Sequence, residues 1–342
     1  MAETLSIAVD VMGGDFGPRV TLPACVNLVQ QNPQLHIHLV GNLADMQPYL
    51  DDIPSNLLSR FECHATQSVV SMDDKPSFAL RHRRDSSMYK ALELVKLGEA
   101  LACVSGGNTG ALMAFGCVLL GTLPGIDRPA IISAIPTESG HCYLLDLGAN
   151  IHCSAEQLLQ FAQMGSAMVS AVDSIQFPRV ALLNIGIEEI KGNDQVKKAA
   201  QLIQTVGNLN YIGYIEGGEV FKDRADVIVC DGFTGNIALK SNEGLARLIG
   251  GKLKQSFSKN LYRRLLGLLA KPVLQELQQQ IDPGRRNGAS LLGLKGVVVK
   301  SHGSASSRHF EAALNQAIVD ARLDIPQRIS SQLSFHLRQR SE

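Results

Sequence analysis

Six short segments of this chain collect glycine, asparagine, aspartate and lysine in patterns suited to gripping an oxyanion. The first is DVMGGDFGP, Asp10 to Pro18. Its paired Gly13 and Gly14 remove side chains where backbone would meet a ligand, Pro18 is placed to start a helix, and Asp10 and Asp15 can orient donors. The second is SGGNTGA, Ser105 to Ala111, where Ser105, Gly106, Gly107, Asn108 and Thr109 lead into a helix expected to begin near Thr109 or Gly110. Free amides and the positive dipole end at such a helix start attract anions. DLGAN (Asp146 to Asn150), LNIGIEEIKGND (Leu183 to Asp194), CDGFTGNIALK (Cys230 to Lys240) and GLKGVVVKSHGSAS (Gly293 to Ser306) complete the set. Any one of these is what an α/β protein needs at an ordinary turn. Six together point to a phosphate-handling site.

The missing motifs narrow the chemistry. The chain contains no G-x-G, so the dinucleotide fingerprint is absent. It contains no G-x-x-x-x-G-K-[ST] and no G-x-S-x-G, which counts against a P-loop kinase and an acyl hydrolase with a nucleophile elbow. The acidic residues of MGGD and EEIKGND lack ligand spacing, and no metal or other cofactor is expected. Thirty-two basic residues balance thirty-two acidic ones, leaving no overall field for nucleic acid. Seven cysteines without a C-x-x-C pair fit reduced thiols in a cytosol. The start MAETLS has no basic, apolar or cleavage region of a signal peptide, so a cytoplasmic location is expected. No charge falls between Glu99 and Asp127, yet the polar turn at residues 105–109 and Pro124 argue for strand, loop and buried helix instead of a membrane span.

These loops need a scaffold. Short β-branched runs (LSIAVDV, LHIHLV, RVALLNI, ADVIVC) alternate with helical stretches such as SMYKALELVKLGEA and AEQLLQFAQMGSAMVSAV. That alternation predicts a mostly parallel sheet in an α/β sandwich, with ligands at the carboxyl ends of the strands. Residues 1–342 are expected to form a single α/β catalytic domain with a helical, basic excursion at about 244–282.

In order, DVMGGDFGP, SGGNTGALMA, DRPA, DLGAN, LNIGIEEIKGND, GYIEGGEVF, DGFTGN and GLKGVVVKSHG resemble the phosphate acyltransferase PlsX family of bacterial phospholipid synthesis. The resemblance covers nearly the whole chain and is most specific at MGGD, IKGND and DGFTGN. It implies transfer of an acyl group from acyl carrier protein to inorganic phosphate, giving an acyl phosphate for a downstream glycerol-3-phosphate acyltransferase. It also implies a homodimer, and a fold similar to phosphate acetyltransferase and to isocitrate or isopropylmalate dehydrogenases, without their nicotinamide.

Such a reaction asks for positioning and charge control more than for a strong base, because phosphate already carries nucleophilic oxygen. Lys191 is the first candidate for the required cation, since it leaves a strand beside Glu188 and Glu189 and precedes Gly192; the alternative is a solvated lysine near a helix start. Asn236 and Asn108 are candidate amide donors, or else turn and cap residues. Asp10, Gly13, Gly14, Ser105, Gly106, Gly107, Thr109, Asn150, Asp231, Gly232, Thr234, Gly235 and His302 form the expected contact set for phosphate and substrate. Asp231 can instead cap a helix starting near Thr234, and His302 can be structural. Cys103, Cys117 and Cys230 are expected to be buried and inert, so direct transfer is preferred to an acyl-enzyme.

From Gly244 to Gln275 there is no acidic residue, while Arg247, Lys252, Lys254, Lys259, Arg263, Arg264 and Lys271 are basic. At 100° per residue, Phe257, Leu261, Leu265, Leu268 and Leu269 share one half of a helix. This is the pattern of a helix lying on an anionic membrane, and equally of a core-facing helix with a solvated back. A long acyl substrate favours the membrane, at the inner face of the cell membrane, and the same basic surface can dock an acidic carrier. Two rivals remain at this stage: a decarboxylating dehydrogenase of isopropylmalate type and a noncatalytic membrane scaffold.

Overall fold

The computed structural model describes residues 5–281 and 287–339. Eleven strands make one sheet: β1 (Leu5–Asp10), β2 (Leu35–Gly41), β3 (Phe61–Ala65), β4 (Ala102–Ser105), β5 (Ala130–Pro136), β6 (His141–Leu145), β7 (Arg179–Asn184), β8 (Asn210–Glu216), β9 (Val227–Val229), β10 (Ala289–Leu292) and β11 (Val297–Lys300). Their order across the sheet is β3-β2-β1-β4-β11-β10-β5-β6-β9-β7-β8. The first five in that order are mutually parallel, as are the last four. Between the blocks, β11–β10, β10–β5 and β5–β6 are antiparallel. An odd number of reversals makes the two parallel blocks run in opposite directions. The expected mostly parallel sheet is present, and two of the three reversals are connections with no crossover helix, residues 137–140 between β5 and β6 and residues 293–296 between β10 and β11.

Among the described residues there are twelve α-helices: α1 (Pro18–Gln31), α2 (Leu43–Leu50), α3 (Pro76–His82), α4 (Ser87–Leu97), α5 (Thr109–Leu119), α6 (Ala155–Val172), α7 (Asp194–Val206), α8 (Gly232–Ser258), α9 (Leu261–Leu269), α10 (Lys271–Ile281), α11 (Ser307–Arg322) and α12 (Ile325–Gln339). Strand alternation assigns the faces. In β1, Ile7 and Val9 pack toward α1 and α11 while Ala8 points into the opposite core with α4 and α5. In β9, Val227 and Val229 pack toward α6 while Ile228 points the other way. One core therefore runs under both blocks, and the other face carries two separate cores, under α1, α2 and α11 and under α6, α7 and α12. Local chemistry sets the helix ends: Ser154 and Gln157 form a reciprocal capping box at α6, and Gly98 ends α4 in the left-handed conformation.

The basic stretch forms three helices in succession. α8 ends at Ser258, and Asn260 caps α9 by accepting from the Arg263 amide at 2.9 Å. The single helix that would align Phe257 with the leucines is thus broken, and Phe257 packs half-buried against Gly267 of α9. No residue of α9 is buried: Leu261, Leu265, Leu268 and Leu269 are each more than half exposed. The core-facing alternative does not apply to these four leucines in this chain. Residue 282, where the expected excursion ends, lies outside the described residues. Among the described residues no helix is long and apolar enough to cross a membrane.

Candidate active site

All six loops leave the carboxyl ends of strands, after β1, β4, β6, β7, β9 and β11. Three of them, MGGD, SGGN and SHG, touch backbone to backbone. Gly14 sits at φ +97°, and a Cβ there would meet the Gly303 carbonyl at 2.9 Å, while the Asp15 amide donates to that carbonyl at 2.8 Å. Under them Asp10 is buried; its Oδ2 accepts from Ser105 at 2.6 Å, and Ser105 Oγ in turn accepts from the Gly107 amide at 3.0 Å. Burial pushes the Asp10 carboxyl up, and its Oδ1 has no hydrogen-bond partner among the described residues.

Asn108 takes the cap position of the two left open by its sequence. Its Oδ1 accepts from the Ala111 amide at 3.0 Å, and its Nδ2 donates to the carbonyls of Ser71, Met72 and Asp74. It ties the 71–74 loop to the start of α5, and its amide protons are already committed. Thr109 opens α5, within the range expected.

DLGAN and DGFTGN form a second unit. Asp146 accepts from the amides of Ile131, Ala149 and Asn150 and from Asn150 Nδ2, and Asn150 Nδ2 also donates to the Pro129 carbonyl. The Gly232 amide donates to the Asn150 carbonyl at 2.7 Å, so α8 starts against this loop, two residues earlier than Thr234. Asp231 caps it, accepting from the Thr234 amide at 2.7 Å. A Cβ on Gly235 would come within 2.0 Å of the Asp146 carbonyl oxygen. Gly235→Ala is therefore expected to push α8 off the loop and cost about 2–4 kcal/mol, within the range of severe point changes, as a lower urea midpoint at unchanged slope. Asn236 follows on the exposed side, packed beside Gly148, with no side-chain hydrogen bond among the described residues.

The two units meet although their strands run in opposite directions. The link between them is α8, which starts against the second unit and reaches the first. Lys240, one turn beyond Asn236, brings Nζ to 3.3 Å from His302 Nε2. His302 Nδ1 accepts from the Ser304 amide at 3.2 Å, and burial followed by the Lys240 charge holds its pKa down. Beneath it Lys300 is buried and donates to the carbonyls of Gly106 and Ser301. Burial lowers Lys300 to about 8, with Asp10 opposing the fall. Lys300, Lys240 and His302 thus converge among the glycine loops, with Asp10, Asp15 and Glu243 in their field. This is a concentration of nitrogen donors suited to a phosphate dianion.

Lys191 belongs to a different loop. It sits in the loop after β7, exposed, two residues before Asn193, which caps α7. The Asn184 side chain donates to the Lys191 carbonyl at 3.2 Å, and Lys191 Nζ forms no ion pair or hydrogen bond among the described residues. Ile185, Ile187 and Ile190 around it are more than half exposed.

A family model described as "Fatty acid synthesis protein" matches residues 5–328. A protein of Pseudomonas syringae pv. syringae named phosphate acyltransferase is 53% identical over 327 residues, 96% of each chain. The chain belongs to the phosphate acyltransferase family. It is an acyltransferase, which sets aside the dehydrogenase and scaffold readings. Among solved structures, a phosphotransacetylase from Streptococcus pyogenes superposes with TM-score 0.63 at 18% identity, covering 94% of this chain and 95% of that one. A branched-chain phosphotransacylase from Enterococcus faecalis gives 0.57 at 14%, covering 92% and 99%. Both share the fold.

Lys300 and Lys240, which stand among these loops, were not singled out from the sequence. Lys300 had a signal: an unbroken VVV run leads straight into it, which carries the ammonium to the buried end of a strand. Cys103 and Cys230 are buried as expected, and burial raises both thiols well above their ordinary value. Cys117 differs: it is half-buried, and burial raises it too.

Proposed function

We propose that this acyltransferase moves a fatty acyl group from acyl-(acyl carrier protein) to inorganic phosphate, for use by a glycerol-3-phosphate acyltransferase in phospholipid synthesis. A phosphate oxygen attacks the thioester carbonyl, the C–O bond forms as the C–S bond breaks, and the departing thiolate takes a proton from solvent. The observation that carries this reading is the convergence of Lys300, Lys240 and His302 on the MGGD, SGGN and SHG backbone. Asp10, Gly13, Gly14, Ser105, Gly106, Gly107 and Thr109 shape the phosphate side. Asn150, Asp231, Gly232, Thr234 and Gly235 place Asn236 to donate to the carbonyl, and Lys191 approaches from its own loop to offset charge in the transition state.

Direct transfer is favoured because the buried thiols are held protonated. The test is phosphate-dependent release of the carrier thiol, with mass spectrometry of the chain after mixing with acyl carrier thioester alone. Thiol release without phosphate, with a trapped acyl adduct, overturns the direct route.

The proposed setting is a homodimer in the cytoplasm, one α/β catalytic unit per chain, attached to the inner face of the cell membrane through α9. Four exposed leucines flanked by Arg263, Arg264 and Lys271 support this attachment. Replacing Leu265 and Leu269 together by aspartate is expected to abolish binding to anionic vesicles, and added salt to weaken it in the parent chain. Unchanged sedimentation of the double variant with vesicles counts decisively against it.

A further inference from the structure

β3 is an edge strand, and its outer residues are largely exposed. It pairs with β2 in a register that sets Glu62 opposite His38, so Glu62 and His64 share one face of the sheet with His38. His38 Nδ1 stands 3.0 Å from His64 Nε2 and 3.4 Å from Glu62 Oε2, and His64 Nε2 stands 3.6 Å from Glu62 Oε1. In a tetrahedral site with bonds of about 2.0–2.1 Å, neighbouring donor atoms are about 3.3 Å apart. The His38–His64 distance and the His38–Glu62 Oε2 distance lie on either side of that edge length, and the other carboxylate oxygen is the one that faces His64.

The surroundings of His38 complete the pattern. Its other nitrogen, Nε2, lies 3.1 Å from the Glu99 carbonyl. A carbonyl only accepts, so Nε2 carries the proton and Nδ1 presents a lone pair. That outer hydrogen bond is the one that orients metal-binding histidines. His38 is 9% exposed and held in place, whereas Glu62 is open to solvent. Lys90, whose charge acts on His64, is engaged by Glu93 at 2.7 Å. Cys63, between Glu62 and His64, faces the other side of the sheet and cannot join the same ion.

We propose that His38, Glu62 and His64 form a zinc site that fastens the edge strand β3 to β2, with water in the fourth position. The donor set, two imidazoles and one carboxylate, suits zinc. Binding replaces the proton between His38 Nδ1 and His64 Nε2; the imidazole proton of His64 moves to its Nδ1, and no redox step is involved. The site lies outside the loops assigned to acyl transfer, and its role is structural.

The experiment uses the full chain stripped with chelator, titrated with Zn(II) by calorimetry and with Co(II) for its tetrahedral absorption bands. One equivalent per chain is expected, with a zinc-dependent rise in Tm. His64→Ala and Glu62→Gln, both on the exposed edge, are expected to weaken binding by about tenfold or more and to remove the Tm rise. Absence of stoichiometric binding in the parent chain overturns the proposal. So does an equivalent bound with parent affinity in His64→Ala, which would place the ion elsewhere.

Discussion

Lys300→Met is expected to lower kcat/KM for acyl phosphate formation by about 10²- to 10³-fold, the scale of losing one preorganised donor to developing charge. Methionine keeps most of the buried volume, so the variant should fold. The pH dependence makes the prediction specific. Burial holds Lys300 at about 8, below its ordinary 10.5, so the charged form needed for phosphate is lost as pH rises through about 8. The parent kcat/KM should fall across that window, and the residual rate of Lys300→Met should not. Stability moves in the opposite sense. The unfolded chain binds this proton more tightly, so the cost of the buried charge is fully present below about 8 and fades as pH climbs toward 10.5. Urea unfolding of the two proteins should therefore shift in the parent's favour between neutral and alkaline pH. A parent rate that stays flat through this range, or a variant with parent activity, removes Lys300 from the reaction.

Lys191→Ala is the second large effect expected, a fall of about 10²-fold in turnover or more with Tm unchanged, because the side chain is exposed and unpaired among the described residues. The division between kinetic constants tells what the lysine does. A rise in KM for phosphate alone would mean that it only holds the anion, whereas equal losses in kcat and kcat/KM mean that it acts on the transition state. Near-normal values for both would confine the cationic work to Lys300, Lys240 and His302. The two variants are independent tests, since one lysine is buried beneath SHG and the other rides an exposed loop after β7.

Much of this was readable from residue order. The alternating runs located the strands, Pro18 and Thr109 marked helix starts, and each of the six loops lies at a strand's carboxyl end. What escaped was set by distant contacts. Asn108 looks the same in sequence whether it binds phosphate or a carbonyl, and only the return of the 71–74 loop decides its partners. Lys240 lies in an ordinary helical stretch, and its meeting with His302 is a contact between residues 62 apart in the chain. Periodicity carried Phe257 and Leu261 on one helix because nothing apolar breaks between them; the cap at Asn260 does. The antiparallel joints were likewise hidden, since β5 and β10 are apolar runs whose direction only a missing crossover helix reveals.

α8 holds 27 residues, about 40 Å of continuous rod at 1.5 Å per residue. Its first turn is bolted to DLGAN through Gly232, and its far end carries the leucines of α9. A lever pivoted at one end moves little there and much at the other: a 5° swing displaces the tip by roughly 3 Å over that length and leaves Asn236 nearly still.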